Sequence, residues 1–151
     1  MTGIKKIMVA LAFGEYSKDV FNYAATLALD LGASLTAVHI IDIKYVEALS
    51  QVEAMGYEVS AEKYIESSKE ERRAQFDELA TEASFPPEKM KKIIEVGHPD
   101  DQLIKVIARE KVELVVMGAR SHSKMPQVLV GSVANKVFHH SPVPVLFYRL
   151  P

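Results

Sequence analysis

The sequence predicts an α/β protein with an open parallel sheet, and three observations support this fold class. Strand patterns alternate with helix patterns, several strand segments are apolar throughout, and glycine or proline separates many of the segments. A strand that is apolar throughout is covered on both faces, as in a parallel sheet flanked by helices. Crossovers between such strands are right-handed, and a ligand crevice is expected at the carboxyl ends of the strands, where the strand order reverses.

The first third of the chain predicts a strand, a helix and a second strand. The first strand is expected from Ile4 to Ala12, where IMVALA is a continuous apolar run. Apolar residues from Val20 to Leu31 then recur at helical spacing, with Ser17 as the expected N-cap and Gly32 as the left-handed C-terminal residue. The β-branched and apolar segment SLTAVHIID, at 34–42, predicts the second strand.

The middle of the chain predicts one helix after a connection. The apolar period is lost from Ile43 to Ser60, and we interpret Lys44 to Val59 as a mobile connection, with partner contacts as the alternative. The most charged stretch, Ser60 to Ala83, predicts a long amphipathic helix that ends before Pro86. Its charges are those expected of a solvated helix face.

The last third predicts strand, helix, strand, helix and strand. The strands are expected over Lys92 to Val96, Glu113 to Met117 and Val143 to Tyr148. The helices are expected from Pro99, which suits a first turn, and from Ser132 to His140. The residues expected to face inward on these two helices are Leu103, Ile104, Ile107, Ala108, Val133, Val137 and Phe138.

Length and composition indicate one globular domain over residues 1–151. The 48% hydrophobic and 25% charged residues are typical of a compact chain, and 151 residues suffice for one core. With 18 basic and 20 acidic residues the net charge is -2, so the chain has no overall positive charge that would attract nucleic acid. The absence of cysteine fits a reducing compartment, and the first apolar run is interrupted at Gly14, so we expect a cytoplasmic protein with no membrane partner.

Glycines flank the loop between the fourth strand and the last helix. GARS, from Gly118 to Ser121, follows the strand, and after nine further residues Gly131 and Ser132 open the helix. Glycines let a backbone approach a phosphate, and the helix N-terminus favours an anion, with Arg120 as a counter-charge. The spacing alone fits a second interpretation equally well, in which the glycines only form turns and Ser132 is only an N-cap.

No metal site and no catalytic site are expected. The five histidines are scattered apart from His139 and His140, and adjacent helix residues point in different directions. His39 is expected to pack within the sheet. No nucleophile elbow, phosphate loop with lysine or HExxH motif occurs in the sequence.

The C-terminal segment VVMGARSHSKMPQVLVGSVANKVFHHSPVPVLFYR resembles the signature of the universal stress protein family. In nucleotide-binding members this signature is glycine, two residues, glycine, nine residues, glycine and serine or threonine. Gly118, Gly131 and Ser132 match it, and IMVALA, TAVHIID and VGHPDDQLIKVIAREKVELVVMG resemble the earlier strands and helix. The resemblance therefore extends over essentially the whole chain.

This resemblance implies a Rossmann-like sheet of the adenine nucleotide alpha hydrolase type, with strand order 3-2-1-4-5 and helices on both faces. It implies ATP or AMP as ligand, with Mg²⁺ accompanying ATP, and at most slow ATP hydrolysis. Adenine is then expected beside Ile40, and the nucleoside beside Ala10 and Ala12. The residues expected around ribose and phosphates are Gly118, Arg120, Ser121, Gly131, Ser132 and Val133.

Two positions depart from the binding pattern of the family. Ser121 occupies the position of the middle glycine, and Ala12 that of the aspartate at the end of the first strand. Losing one orienting hydrogen bond costs about 0.5–1.5 kcal/mol, so binding is expected to weaken without being abolished. Two hypotheses remain: a dimeric nucleotide-binding switch, paired through the edge strand Val143 to Arg149, and a family member that lost nucleotide and acts by protein interaction.

Overall fold

The computed structural model describes residues 3–119 and 131–149, and these form five strands and five α-helices. The strands are β1 (Lys6–Ala10), β2 (Ser34–Asp42), β3 (Met90–Gly97), β4 (Leu114–Gly118) and β5 (Val145–Tyr148). The α-helices are α1 (Ser17–Leu31), α2 (Ile43–Ala54), α3 (Ala61–Glu82), α4 (Pro99–Arg109) and α5 (Ser132–His140). A 3-10 turn over Pro87–Lys89 leads into β3.

The five strands form one parallel sheet in the order β3-β2-β1-β4-β5, which confirms the predicted fold class and strand order. β1 is central, because Ile7 lies in register with Leu35 of β2 on one side and with Leu114 of β4 on the other. The strand order reverses between β1 and β4. The crevice expected for this topology therefore lies at the carboxyl ends of those two strands.

Each face of the sheet is covered by helices. One core contains Val9 of β1 with Phe21 of α1 and Phe76 of α3. The other contains Met8 of β1, and also the inner faces of α4 and α5. Because alternate β1 side chains enter opposite cores, both layers depend on the same strand. Burial of a large side chain such as Phe76, which is 0% exposed, contributes about 1.5–3 kcal/mol.

The helix ends agree in part with the prediction. Gly32 follows α1 in the left-handed conformation, with φ 65°, as expected. Ser60 caps α3, where its hydroxyl accepts from the Lys63 amide. The expectation that Ser17 caps α1 is wrong, because Ser17 is the first helical residue and Tyr16 stands at the cap without a side-chain hydrogen bond.

The interpretation of Lys44 to Val59 as a mobile connection is wrong over most of its length, since 43–54 forms α2. Asp42 begins this helix, and its side chain accepts from the Lys44 amide at 3.0 Å. Only Val46 of α2 is buried, with Ile43 and Leu49 packed partly against the core, so its apolar stripe is narrow. Capping and packing on α3, where the rings of Tyr45 and Tyr64 lie 4.9 Å apart, add to these contacts.

Two of the residues expected to face inward are exposed. Phe138 of α5 is 65% exposed, and Ala134 and Val137 make the inward stripe of that helix. On α4, Ala108 is exposed and Val106 is buried. Both errors arise because a short helix presents only a narrow stripe of side chains to the sheet. An error of one residue in the helical phase therefore assigns an exposed residue to the buried face. Among the described helices, none combines the length and apolarity needed to cross a membrane.

Candidate functional site

The crevice expected from the topology lies where the elements that follow β1 and β4 cover opposite faces of the sheet. After β1 the chain enters α1, which packs in the core with Phe21, and α5 packs in the other core through Val137. At the carboxyl end of β1, Ala10 lies in register with Val38 of β2 and Met117 of β4. The ends of β1 and β4 are therefore adjacent beside the middle of β2, and the strand-order reversal at this point is where the topology places a ligand crevice.

The N-terminus of α5 is tied to the end of β4. Ala119 donates its amide to the Tyr148 carbonyl at 3.1 Å, and Gly131 donates to the Ala119 carbonyl at 2.9 Å. The buried Gly131 is also the N-cap residue of α5. This chain of main-chain bonds fixes the start of α5 against β4 and β5, so the helix begins beside the crevice.

Among the residues that the structure describes, no acidic side chain of the first turn offsets the positive potential at the start of α5. Gly131 has no side chain to cap the helix, and the first turn contains no acidic residue. The first amides of a helix have no intrahelical acceptor, and this applies to Ser132, Val133 and Ala134. The helix dipole places further partial positive charge at these amides, so this end of α5 favours an anion.

The predicted site residues fall into three groups. Ala10 and Ile40, 9% and 7% exposed, are buried in the core beneath α4 and α5 and contribute shape rather than polar groups. Ser132 is exposed and Val133 half-buried at the start of α5, while Gly118 ends β4. Arg120 and Ser121 lie outside the described residues. Ile40 lies two residues past Val38, the β2 partner of Ala10, so β2 continues beyond the end of β1.

Ala12 is exposed at the carboxyl end of β1 and presents only a methyl group there. After Leu11, whose amide donates to the Val38 carbonyl at 3.0 Å, the amides of Ala12, Phe13 and Gly14 donate to no acceptor among the described residues. This segment therefore offers a ligand main-chain donors and no carboxylate.

His39 supports the same segment from β2. Its Nδ1 lies 2.8 Å from the Leu11 carbonyl oxygen, so a proton on Nδ1 is donated to that carbonyl. Burial lowers the pKa of His39, the bond to Leu11 raises it, and the nearby Arg72 lowers it further. The net direction is downward, so the imidazole is held neutral. The expectation that His39 packs within the sheet is confirmed by its half-buried place on β2.

The sequence reasoning did not identify the contacts of Phe13. This residue has a left-handed backbone, with φ 58°, and its ring meets Arg72, Phe76 and His39. Nothing in the sequence marked it, because the left-handed conformation is usually signalled by glycine or asparagine. Across 3–119 and 131–149, no three histidine, aspartate or glutamate side chains are grouped to hold a metal ion.

These features define a parallel α/β protein whose strand order reverses between β1 and β4, with an anion-favouring helix start beside that point. The model of the universal stress protein family matches residues 3–149, so the chain belongs to this family. A universal stress protein of Methanocaldococcus jannaschii, MJ0577, is 26% identical, and the match covers 96% of this chain and 94% of that protein. A putative universal stress protein of Staphylococcus aureus is 28% identical, and the match covers 99% of this chain and 86% of that protein.

Solved structures agree with this fold. The structure of hypothetical protein MJ0577 has a TM-score of 0.80 at 22% identity, with 99% of each chain covered. A universal stress protein from Archaeoglobus fulgidus in complex with dAMP has a TM-score of 0.66 at 18% identity, covering 97% of this chain and 98% of its own. A universal stress protein in complex with cAMP has a TM-score of 0.66 at 18% identity, and the match covers 97% of each chain. At these identities the structures establish the fold.

Proposed function

We propose that this universal stress protein binds an adenine nucleotide, ATP or AMP, in the crevice between β1, β4 and α5. The observation that carries the proposal is the hydrogen bond from Gly131 to the Ala119 carbonyl, which holds an uncapped helix start at the end of β4. A phosphate is the natural ligand of such a helix start. Two proteins of the same fold, solved with cAMP and with dAMP, support an adenine nucleotide as the ligand.

In this proposal each part of the nucleotide has its own surroundings. Adenine lies along the end of β2 near Ile40, and the nucleoside lies beside Ala10 and Ala12. The residues around ribose and phosphates are Gly118, Arg120, Ser121, Gly131, Ser132 and Val133. Mg²⁺ accompanies ATP, held chiefly by the phosphates and water.

The proposed activity is binding in the cytoplasm, with at most slow ATP hydrolysis. Hydrolysis needs a group that orients or deprotonates the attacking water. At the end of β1 the side chain is the methyl group of Ala12, and the first turn of α5 has no acidic residue. Both features favour a ligand that occupies the crevice unchanged and so acts as a regulatory signal.

We propose further that two copies pair through β5 and that nucleotide occupancy alters this pairing. β5 is an edge strand whose outer side meets no other strand of the sheet within the described residues. Phe138, 65% exposed, lies beside this edge with its ring 6.3 Å from the ring of Phe147. An apolar edge of this kind associates readily, and β5 is joined to Ala119 at the crevice.

Titration calorimetry of nucleotide-free protein with ATP and with AMP tests the binding proposal. We expect saturable heat with both ligands and a higher melting temperature in their presence. No heat and no thermal shift at millimolar ligand would overturn it.

The second candidate is a family member that has lost nucleotide and acts only through protein contacts. Ala12 favours it, because the crevice lacks a carboxylate to orient a nucleoside. Heating the purified protein and identifying released small molecules by mass spectrometry separates the two. Stoichiometric adenine nucleotide would exclude the second candidate.

A further inference from the structure

Phe13 has a backbone conformation that its position does not explain. Within residues 3–119 and 131–149, three non-glycine residues have positive φ: Phe13 at 58°, Ser84 at 53° and Lys111 at 55°. Ser84 and Lys111 follow the ends of α3 and α4, where a left-handed residue commonly terminates a helix. Phe13 instead follows a strand, and a bulky residue avoids this region unless its surroundings impose it.

Three side chains surround the Phe13 ring. The guanidinium carbon of Arg72 lies 4.6 Å from its centroid, which is the geometry of a cation–π contact. The rings of Phe76 and His39 meet it edge-on, with centroids at 5.0 and 5.2 Å. Arg72 donates to the Gln75 side-chain oxygen at 2.8 Å, and this bond orients the guanidinium. Phe76, which is fully buried, provides a rigid base for the ring.

We propose that Arg72 is a positioning residue for the nucleotide site, and that it acts by clamping Phe13 in the left-handed conformation. The inference rests on the proposed function. Leu11 is held by its bonds to Val38 and His39, but the Ala12 side chain has no polar group, so the contacts of the Phe13 ring help to fix the segment beyond Leu11. The clamp holds the amides of Ala12, Phe13 and Gly14, which donate to no acceptor in 3–119 or 131–149, in one arrangement, and the segment offers these amides to a ligand.

The backbone of the nucleotide-free protein provides the first test. A positive φ gives an unusually strong NOE between the amide and Hα protons of the same residue. We expect this signal at Phe13 in the wild type and its loss in Arg72→Met, which keeps an unbranched apolar stem and removes the guanidinium. Arg73→Met, an exposed neighbour on the same helix, is the matched control and should retain the signal. An unchanged signal in Arg72→Met overturns the clamp.

Nucleotide affinity provides the second test. We expect Arg72→Met to weaken AMP binding about three- to tenfold, and Arg73→Met to leave it unchanged. Phe13→Gly removes the ring on which Arg72 acts, so adding Arg72→Met to that variant should cause no further loss. Equal losses in both backgrounds, or no loss in Arg72→Met, overturn the positioning role.

The two tests also separate this inference from the function on which it rests. If the wild type binds no nucleotide, the proposed function fails and the positioning role fails with it. The NOE measurement at Phe13 still decides whether Arg72 holds this residue in the left-handed conformation. If the wild type binds and the NOE is lost in Arg72→Met without any change in affinity, the proposed function stands and only the positioning role is overturned.

Discussion

The amide of Gly131 donates to the carbonyl oxygen of Ala119 at 2.9 Å, and this bond joins the start of α5 to the end of β4. It brings the helix dipole to the point where the sheet order reverses. The amide of Ala119 in turn donates to the carbonyl oxygen of Tyr148 at 3.1 Å. The start of α5, where we propose that the phosphate binds, is therefore joined to the edge strand β5 through two main-chain hydrogen bonds.

Helix capping gives a prediction for stability. Asp42 accepts from the Lys44 amide at 3.0 Å, and Ser60 accepts from the Lys63 amide at 3.2 Å. We expect Asp42→Ala and Ser60→Ala each to lower the free energy of unfolding by about 1 kcal/mol, measured by urea denaturation. Ser17→Ala is the control and should change it by less than about 0.5 kcal/mol, because the Ser17 side chain makes no cap bond. A Ser17→Ala loss equal to the other two would contradict the assignment of α1.

His39 gives a prediction for pH dependence. Its pKa in the folded protein is lowered below the ordinary 6.5, chiefly by burial, so the unfolded chain takes up a proton that the folded chain does not. The free energy of unfolding should therefore fall as pH drops from about 6.5 toward the lowered pKa. The pKa values of Glu95 and Glu110 are lowered from an ordinary value of 4.5, so these groups change the free energy of unfolding only at more acidic pH.

The measurement is the urea unfolding free energy between about pH 5 and 7, in the wild type and in His39→Gln. Glutamine keeps a donor for the Leu11 carbonyl and cannot titrate. We expect the slope in the wild type to be larger than in the variant. Identical slopes would assign the pH dependence to other groups.

The edge strand gives a prediction for assembly. Pro144 and Tyr148 accept bonds from Val115 and Ala119 of the β4 side, so by alternation the amide of Val145 faces away from β4. Val145→Pro removes that outward donor and keeps apolar volume. We expect at least about tenfold weaker dimerisation, measured by sedimentation velocity, with a melting temperature close to that of the wild type. A wild type that is monomeric at high concentration, or a variant that dimerises equally well, would refute pairing through β5.

The sequence predicted the fold well because its signals are local. β2 and α5 occur with the predicted bounds, and the left-handed Gly32 is where a glycine after an apolar helix indicated it. α2 was missed because most of its side chains are exposed, which leaves a narrow apolar stripe, and because the local signal of the Asp42 cap was overlooked. Phe138 was misplaced because the inward stripe of a short helix is narrow.

The candidate site was predictable only in outline. The glycine spacing indicated the end of β4 and the start of α5, and the described structure joins them by one hydrogen bond. The clamp on Phe13 was not predictable, since Arg72 and His39 reach it from α3 and β2, far away in the chain. Contacts of this kind depend on the packing of three elements, and no local pattern encodes them.

The most direct test of the nucleotide proposal is calorimetry with AMP and with adenosine on Ser132→Glu. The exposed Ser132 opens α5, where a carboxylate suits the helix dipole and leaves the fold stable, yet it repels a phosphate. Ser67→Glu, on the exposed face of α3, is the matched control for charge. We predict that Ser132→Glu weakens AMP binding by about tenfold or more, spares adenosine, and that the control affects neither. Equal AMP affinity in the wild type and in Ser132→Glu would contradict the phosphate site at the start of α5.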